Sequence, residues 1–540
     1  MITEAVSKCL TSSETGPQKV KAPPEKVNKV GRNGQNTPNL VTNLHPEPGT
    51  FFNSRMASVE VFAPSRYNRG TGMPGSSSGV GDGVTQRTSI AEKTVLRVLK
   101  LKSAFHAAYP GDGEVLACRA PGRVNLIGEH TDYNGLPVLP MTLAQEIRIA
   151  FRSRQDGKIT LRDENPEFGE VSFFNGPSLP PSPPGSWDNY CKAAVQGLNH
   201  HFRGTLFPGM DMLVSSDLPI AAGLSSSSAL VVACGLAYLR VLGYTLEKDI
   251  SRVELAELMA EAEHYVGTRG GGMDQAVILN GLSNHACKID FFPLRVEIAP
   301  LPEGCAVVVC DSMVKVKKSG SALARYNAGP RLCALACALV ERQLREDFGE
   351  EVELPRLGDL WYGPLCLTHR EASAVCTRAI PKPLMSLAET ATRLNSTPDE
   401  VRERWLGDLP EPAEGFRLQA RLRHQLTEYR RVETARDALL AGDSDEFGCL
   451  MNASHESCAN DFQISSVELD ALVQAARQSG AIGARLTGAG FGGATVNLVP
   501  EDRCEEFIQG VGEGYYRQYR GHDGPPPVFV GRSSDGAGYL

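Results

Sequence analysis

Four clusters of small and polar residues carry the chemistry open to this chain. The first runs Asp217-Leu-Pro-Ile-Ala-Ala-Gly-Leu-Ser-Ser-Ser-Ser-Ala-Leu-Val-Val-Ala-Cys-Gly-Leu-Ala-Tyr-Leu239, with successive serines at 225–228 where a long apolar run begins. A helix opening there, from Ser226 to about Leu242, directs its first N–H groups, the serine hydroxyls and its positive dipole end at one spot. Such a spot suits an anion, above all phosphate. The run carries almost no charge, so the helix is expected to be buried on nearly every side. On this stretch alone, a serine-rich turn ahead of an ordinary core helix stands equally open.

The second cluster, Ala120-Pro-Gly-Arg-Val-Asn-Leu-Ile-Gly-Glu-His-Thr-Asp-Tyr-Asn-Gly135, gathers Arg123, Glu129, His130, Asp132 and Asn134 in a span bounded by glycine and proline. Polar groups so concentrated suit a ligand with many hydroxyls. A metal site is the rival, but the spacing of Glu129, His130 and Asp132 matches no standard one. A solvated turn is the plain alternative. The third, Thr268-Arg-Gly-Gly-Gly-Met-Asp-Gln275, lets backbone approach something bulky just ahead of Asp274. That carboxylate could take a proton from a hydroxyl, or merely cap the next helix. The fourth, Leu486-Thr-Gly-Ala-Gly-Phe-Gly-Gly-Ala-Thr495, spells GxGxxG through Gly488, Gly490 and Gly493. A dinucleotide fold needs a helix to open there, and a β-branched run stands in its place. No GxxxxGK[ST] is present either.

The elements that hold these clusters can be read coarsely. Residues 1–84, rich in Pro, Gly, Ser, Asn and Thr, bury too little to offset their ordering entropy and are expected to form a disordered tail. Apolar spacing predicts a helix at 89–109. Strand-like runs lie at 114–119, 136–141, 146–152, 158–162, 171–174 and 210–215, with a helix from near Trp187 and an amphipathic one at 252–266. Strands at 283–290 and 306–311 close this half, giving domains at 85–312 and 313–540. Beyond it lie helices at 326–347 and 417–441 with a looser region at 350–410 between them. A helix at 467–479, strands at 484–486 and 494–499 and a helix at 502–516 form a compact α+β unit.

Composition limits the function classes. With 41% hydrophobic and 22% charged residues, the 540-residue chain has the make-up of a soluble globular protein. A net charge of −8 gives no electrostatic reason for a nucleic-acid partner. The 14 cysteines form no CxxC pair, and Cys333 and Cys337 read as two buried helix positions. That usage, with no membrane-length apolar run and no secretory plan at the N-terminus, leads us to expect a reducing, cytoplasmic setting.

Taken together and in this order, the four clusters resemble those of the GHMP kinase superfamily and, within it, the galactokinase family. Gly122-Arg-Val-Asn-Leu-Ile-Gly-Glu-His-Thr-Asp-Tyr-Asn134 is similar to the family's signature almost letter for letter, and Gly223-Leu-Ser-Ser-Ser-Ser-Ala-Leu230 to its phosphate loop. Gly271-Gly-Met-Asp-Gln275 resembles the catalytic segment, and residues 486–493 the third motif. The resemblance covers roughly 105 to the C-terminus. It implies an α+β, two-domain GHMP kinase fold, with a ribosomal-protein-S5-like N-terminal domain and a ferredoxin-like C-terminal domain.

The resemblance further implies ATP-dependent phosphorylation of the anomeric hydroxyl of galactose, by a chain that works as a monomer. Asp274 would be the general base and Arg123 its partner. Glu129, His130 and Asp132, with Gly271 and Tyr326, would bind the sugar. Ala221, Gly223, Ser225 and Ser226 would cradle the ATP phosphates, and Ser227 with Glu263 would hold Mg²⁺. Trp187, Asn189 and Tyr190 fall in the adenine region. The stretch 253–275 leans toward N-acetylgalactosamine kinases, so that sugar or galacturonate remains an alternative substrate. The span 311–327, with Lys315, Lys317 and Lys318, matches neither subgroup. Sensor proteins of this kind, which bind ATP and galactose without turnover, lose residues of the serine loop, and here Ser225-Ser-Ser-Ser-Ala229 is intact. Direct attack without a base also stands open.

Overall fold

The computed structural model describes residues 81–203, 206–219, 223–267, 270–315 and 321–540, with side chains from 95 onward and, after 320, from 326. The expected tail lies outside the described residues as far as Val80. Residues 81–84 instead open helix α1 (Gly81–Ala108). Its C-terminal half buries Leu101 and Phe105 against Ala150 and Leu213.

The strand pattern is simpler than the sequence suggested. Strand β1 (Leu116–Ile127) continues through the polar signature, because Val124 and Leu126 alternate into the core between Arg123 and Asn125. The two runs expected at 136–141 and 146–152 are one strand, β2 (Leu139–Arg154). With β3 (Lys158–Asp163), β4 (Val171–Phe174), β5 (Gly209–Ser216) and β12 (Gly538–Tyr539), they form a six-stranded sheet in the order β12-β1-β2-β5-β3-β4. Only the β3–β5 pairing is parallel. Helices α2 (Asp188–Phe202), α3 (Ser226–Val241), α4 (Arg252–Glu263) and α5 (Met273–Asn280) pack together, with α3 and α5 lying on β1 and β2. As its lack of charge predicted, α3 is buried at every position from Ser228 to Leu239. Each Leu or Val so buried stabilises the fold by about 1.5–3 kcal/mol.

A short ribbon pairs β6 (His285–Asp290) with β7 (Arg295–Pro300), the latter not anticipated. The second sheet has the order β11-β8-β10-β9, all antiparallel, from β8 (Cys305–Asp311), β9 (Gly483–Thr487), β10 (Ala494–Pro500) and β11 (Val528–Gly531). Strand β8 thus precedes residue 312 in sequence but pairs with strands far beyond it. In return, β12 carries the C-terminus back to β1.

Helix α6 (Ser321–Phe348) carries both Cys333 and Cys337 buried. The region expected to be looser holds α7 (His369–Ala379), α8 (Leu387–Arg393) and α9 (Pro398–Val401), each opened by a capping box. Their apolar faces join α6 and α10 (Leu418–Ala441) in a second core. Then come α11 (Ser444–Ser457), also unanticipated, α12 (Val467–Gln478) and α13 (Cys504–Val511). The last two pack on the second sheet. The α+β class is as expected, and no helix among the described residues is long and apolar enough to cross a membrane.

Candidate active site

Asp274 sits in the first turn of α5, whose N-cap is Gly272, so the carboxylate does not cap its own helix. It turns across to β1 instead, where Arg123 Nε donates to Oδ1 at 2.7 Å. The register between β1 and β2 slips between Pro121 and Arg123, and that irregularity aims the arginine out of the sheet. Arg123 Nη1 donates to the Gly223 carbonyl, also at 2.7 Å, tying the ion pair to the serine loop. Burial disfavours charge on Arg123, yet the Asp274 and Glu129 carboxylates more than offset this and hold its pKa above the ordinary value.

The serine run divides by helical spacing. Ser225 donates to Asp274 Oδ2, and the Ser228 Oγ, one turn on, lies 3.3 Å from the same oxygen. Ser228 gives its one hydroxyl proton to Glu263 Oε2 at 2.8 Å, where Gln275 Nε2 donates as well. The N-cap Ser225 is left-handed at φ 58°, and its side chain makes no capping hydrogen bond to α3. The opening of this 16-residue helix therefore faces the cavity with backbone N–H groups. Gly223 borders the same cavity, whereas Ala221 lies outside the described residues.

The signature residues do not converge on one point, as a metal site would require. Glu129, 2% exposed, accepts from the Gly488 amide at 2.8 Å and from Arg485 at 3.4 Å. Burial pushes its carboxyl up to about 7 against the opposing pull of Arg485 and Arg123. Asp132 accepts from the Gly271 amide at 3.0 Å, and burial raises its pKa as well. A Cβ on Gly271 would fall inside the Asp132–Tyr133 backbone, so only glycine fits there.

His130 Nε2 lies 3.3 Å from the Ala489 carbonyl, which can only accept, so Nδ1 accepts from the Tyr133 hydroxyl at 2.9 Å. Burial lowers its pKa to about 3, so the ring is neutral, and it packs against Tyr326 and Phe462. Both nitrogens are spent inside the protein, and His130 shapes the wall with its ring.

Most of these groups border one cavity of about 570 Å³, whose lining includes Gly270 and Gly272 but not Gly271. Arg123, Glu129, His130, Asp132, Asp274 and Tyr326 line it. So do Ser225, Ser226, Ser227 and Glu263, with Trp187 and Tyr190. The Trp187 indole N–H is buried without a hydrogen-bond partner among the described residues. Asn189 stands behind this wall, where its amide fastens the 182–183 loop.

Ser228, Lys315 and the Asp163–Asn165–Phe168 edge, none of them given a role from the sequence, also line the cavity. The i, i+3 spacing from Ser225 was the available signal for Ser228; the others carry none. Lys317 and Lys318 lie outside the described residues. No group of three or more His, Cys, Asp or Glu able to hold a metal occurs among the described residues.

The chain matches known families in three segments. Residues 103–153 match the galactokinase galactose-binding signature, 189–281 the N-terminal domain of GHMP kinases and 435–517 their C-terminal domain. It is 32% identical over 466 residues to the galactokinase of Dictyostelium discoideum, an overlap of 79% of this chain and 89% of that one. Against the galactokinase of Roseiflexus sp. (strain RS-1) it is 34% identical over 444 residues, covering 81% and 96% respectively. The crystal structure of Lactococcus lactis galactokinase complexed with galactose aligns with a TM-score of 0.67 at 28% identity, over 83% of this chain and 100% of that one. Relatives at this identity are matched along most of their own length by a chain whose serine turn and signature strand meet at one carboxylate, and the chain belongs to the galactokinase family of GHMP kinases.

Proposed function

We propose that this protein transfers the terminal phosphoryl group of ATP to the anomeric hydroxyl of galactose. The observation that carries the reading is Asp274, held by Arg123 on one oxygen and by Ser225 on the other, at the opening of α3.

The C1 hydroxyl gives its proton to Asp274 as the new O1–phosphorus bond forms. The bond from that phosphorus to the bridging oxygen breaks, and ADP leaves with its electron pair. Arg123 fixes the carboxylate and offsets the charge that develops beside it. Glu129, Asp132, the Gly271 backbone, Tyr326 and the His130 ring border the sugar. The first amides of α3, with Gly223, Ser225 and Ser226, take the phosphates, and Lys315 adds a cation on the same cavity. The buried indole N–H of Trp187 fits an acceptor on the nucleobase, with Tyr190 beside it.

Ser227 and Glu263 present oxygen donors of the kind Mg²⁺ requires, and they would hold it together with phosphate oxygens. When bound, the ion supplies neutralisation of the phosphate charge. On this reading the serine turn, Arg123 and Asp274 come from residues 85–312. The 488–493 loop and Tyr326 come from 313–540. A single chain supplies every group, so a monomer is competent.

ADP release from ATP, measured with galactose, N-acetylgalactosamine or galacturonate, tests the reading. Release driven by galactose is expected. Binding of both ligands without ADP release would make the protein a sensor instead.

A further inference from the structure

Arg485 enters none of the roles above. It stands on β9 with its side chain entirely buried. Its Nη1 donates to the Asn125 carbonyl at 3.1 Å and to Glu129 Oε1 at 3.4 Å, and Nη2 approaches Cys458 Sγ at 3.7 Å. Its Nε has no partner among the described residues. A guanidinium removed from water with so few acceptors needs a counter-charge. The carboxylate that provides it is the same one that lines the sugar side of the cavity.

We propose that Arg485 is a positioning residue of the sugar pocket, favouring the ionised form of Glu129 and fixing it between the Gly488 amide and the cavity. The inference rests on the placement of Glu129 beside the sugar. Glu129 is pinned at both ends. Its carboxylate meets Gly488 N–H and Arg485, and its main-chain carbonyl accepts from His424 Nε2 at 3.0 Å. Gly488 also opens the 488–493 loop, and a Cβ there would come within 2.9 Å of the Gly223 carbonyl. One carboxylate thus sets both the sugar wall and the loop that abuts the phosphate turn.

The charged and titratable groups around Glu129 are Arg485 on β9, Arg123 on β1, His130 beside it in sequence, His424 and Glu428 on α10, and Cys458 after α11. His130 and His424 are neutral through burial, and Glu428 is engaged by Arg431 and Ser454. Arg485 and Arg123 are therefore the cations that favour the ionised form of Glu129, whose burial works against it.

An ionised carboxylate accepts sugar hydroxyls more strongly than a neutral one. Galactose affinity should accordingly rise as pH rises through about 7. Calorimetric galactose binding to the full chain without nucleotide, from pH 5.5 to 9, reads that midpoint. Arg485→Met is expected to move it up by a unit or more, weakening binding at pH 7 about fivefold or further, since the ionised fraction falls from half to under a tenth. Arg485→Lys restores the charge and should return the midpoint toward that of the parent.

Loss of packing alone would reduce the competent fraction without moving the midpoint, so an unmoved midpoint in Arg485→Met overturns the proposal. If that variant does not fold, the parent and Glu129→Gln decide. A parent with no midpoint between 6 and 8, or one that survives in Glu129→Gln, also overturns it. Glu129→Gln binding galactose as tightly as the parent at every pH would instead remove Glu129 from the sugar, and with it the reading on which this inference rests.

Discussion

Replacing Asp274 by Asn changes the charge of the proposed base and almost nothing of its shape. Arg123 Nε keeps an acceptor at the Oδ1 position, now 2.7 Å away, and its second bond to the Gly223 carbonyl is untouched. The new amide group faces Ser225 and Ser228, whose hydroxyls can turn to accept from it. Removing one partner of a buried ion pair outright costs about 3–5 kcal/mol. Here the hydrogen bond survives without its charge, and the carboxylate side chain is 22% exposed, so a stability loss of about 1 kcal/mol is expected. Loss of base catalysis is worth about 10²–10⁴ in kcat, or roughly 2.7–5.4 kcal/mol of barrier. The two effects separate cleanly in a thermal melt, a galactose titration and a coupled ADP-release assay on one preparation. A variant that melts close to the parent and binds galactose, yet turns over at least a hundredfold more slowly, supports Asp274 as base. A kcat within tenfold of the parent, with binding intact, would refute the proton-transfer step and favour direct attack of the hydroxyl.

Two other perturbations test neighbouring parts of the site. Gly271→Ala places a Cβ against the Asp132–Tyr133 backbone and should weaken galactose binding tenfold or more, a loss of about 1.4 kcal/mol. Binding of a non-hydrolysable ATP analogue should be unchanged, and titrations of each ligand alone would show it. Ser227→Ala should raise the Mg²⁺ concentration for half-maximal turnover several-fold, while excess EDTA abolishes turnover in the parent. An unaltered Mg²⁺ requirement would remove Ser227 from the metal.

Local chemistry was more legible in the sequence than long-range placement. The uncharged run behind the four serines announced a buried helix, and α3 is one. Three missed helices also carried a readable signal. Thr368-His-Arg-Glu371, Ser386-Leu-Ala-Glu389 and Thr397-Pro-Asp-Glu400 are all capping boxes, hidden because the helices they open are short and polar. Pro121 and Gly122 suggested a loop, yet a register slip lets β1 run through them. The Asp274 side chain gave no hint whether it would cap α5 or cross to Arg123. That choice depends on Gly272 already occupying the cap. The pairings of β8 with β10 and of β12 with β1 join residues remote in sequence, and no local pattern encodes them. Arg485 is the same case. A charged residue within a short apolar strand looks like an exposed edge position until Glu129 is brought against it.

A crystal structure of the protein with galactose and a non-hydrolysable ATP analogue tests the arrangement itself. The galactose C1 oxygen should lie within hydrogen-bonding distance of Asp274, with the terminal phosphate of the nucleotide held at the opening of α3. A sugar bound away from Asp274, or phosphates seated away from the serine turn, would contradict the account.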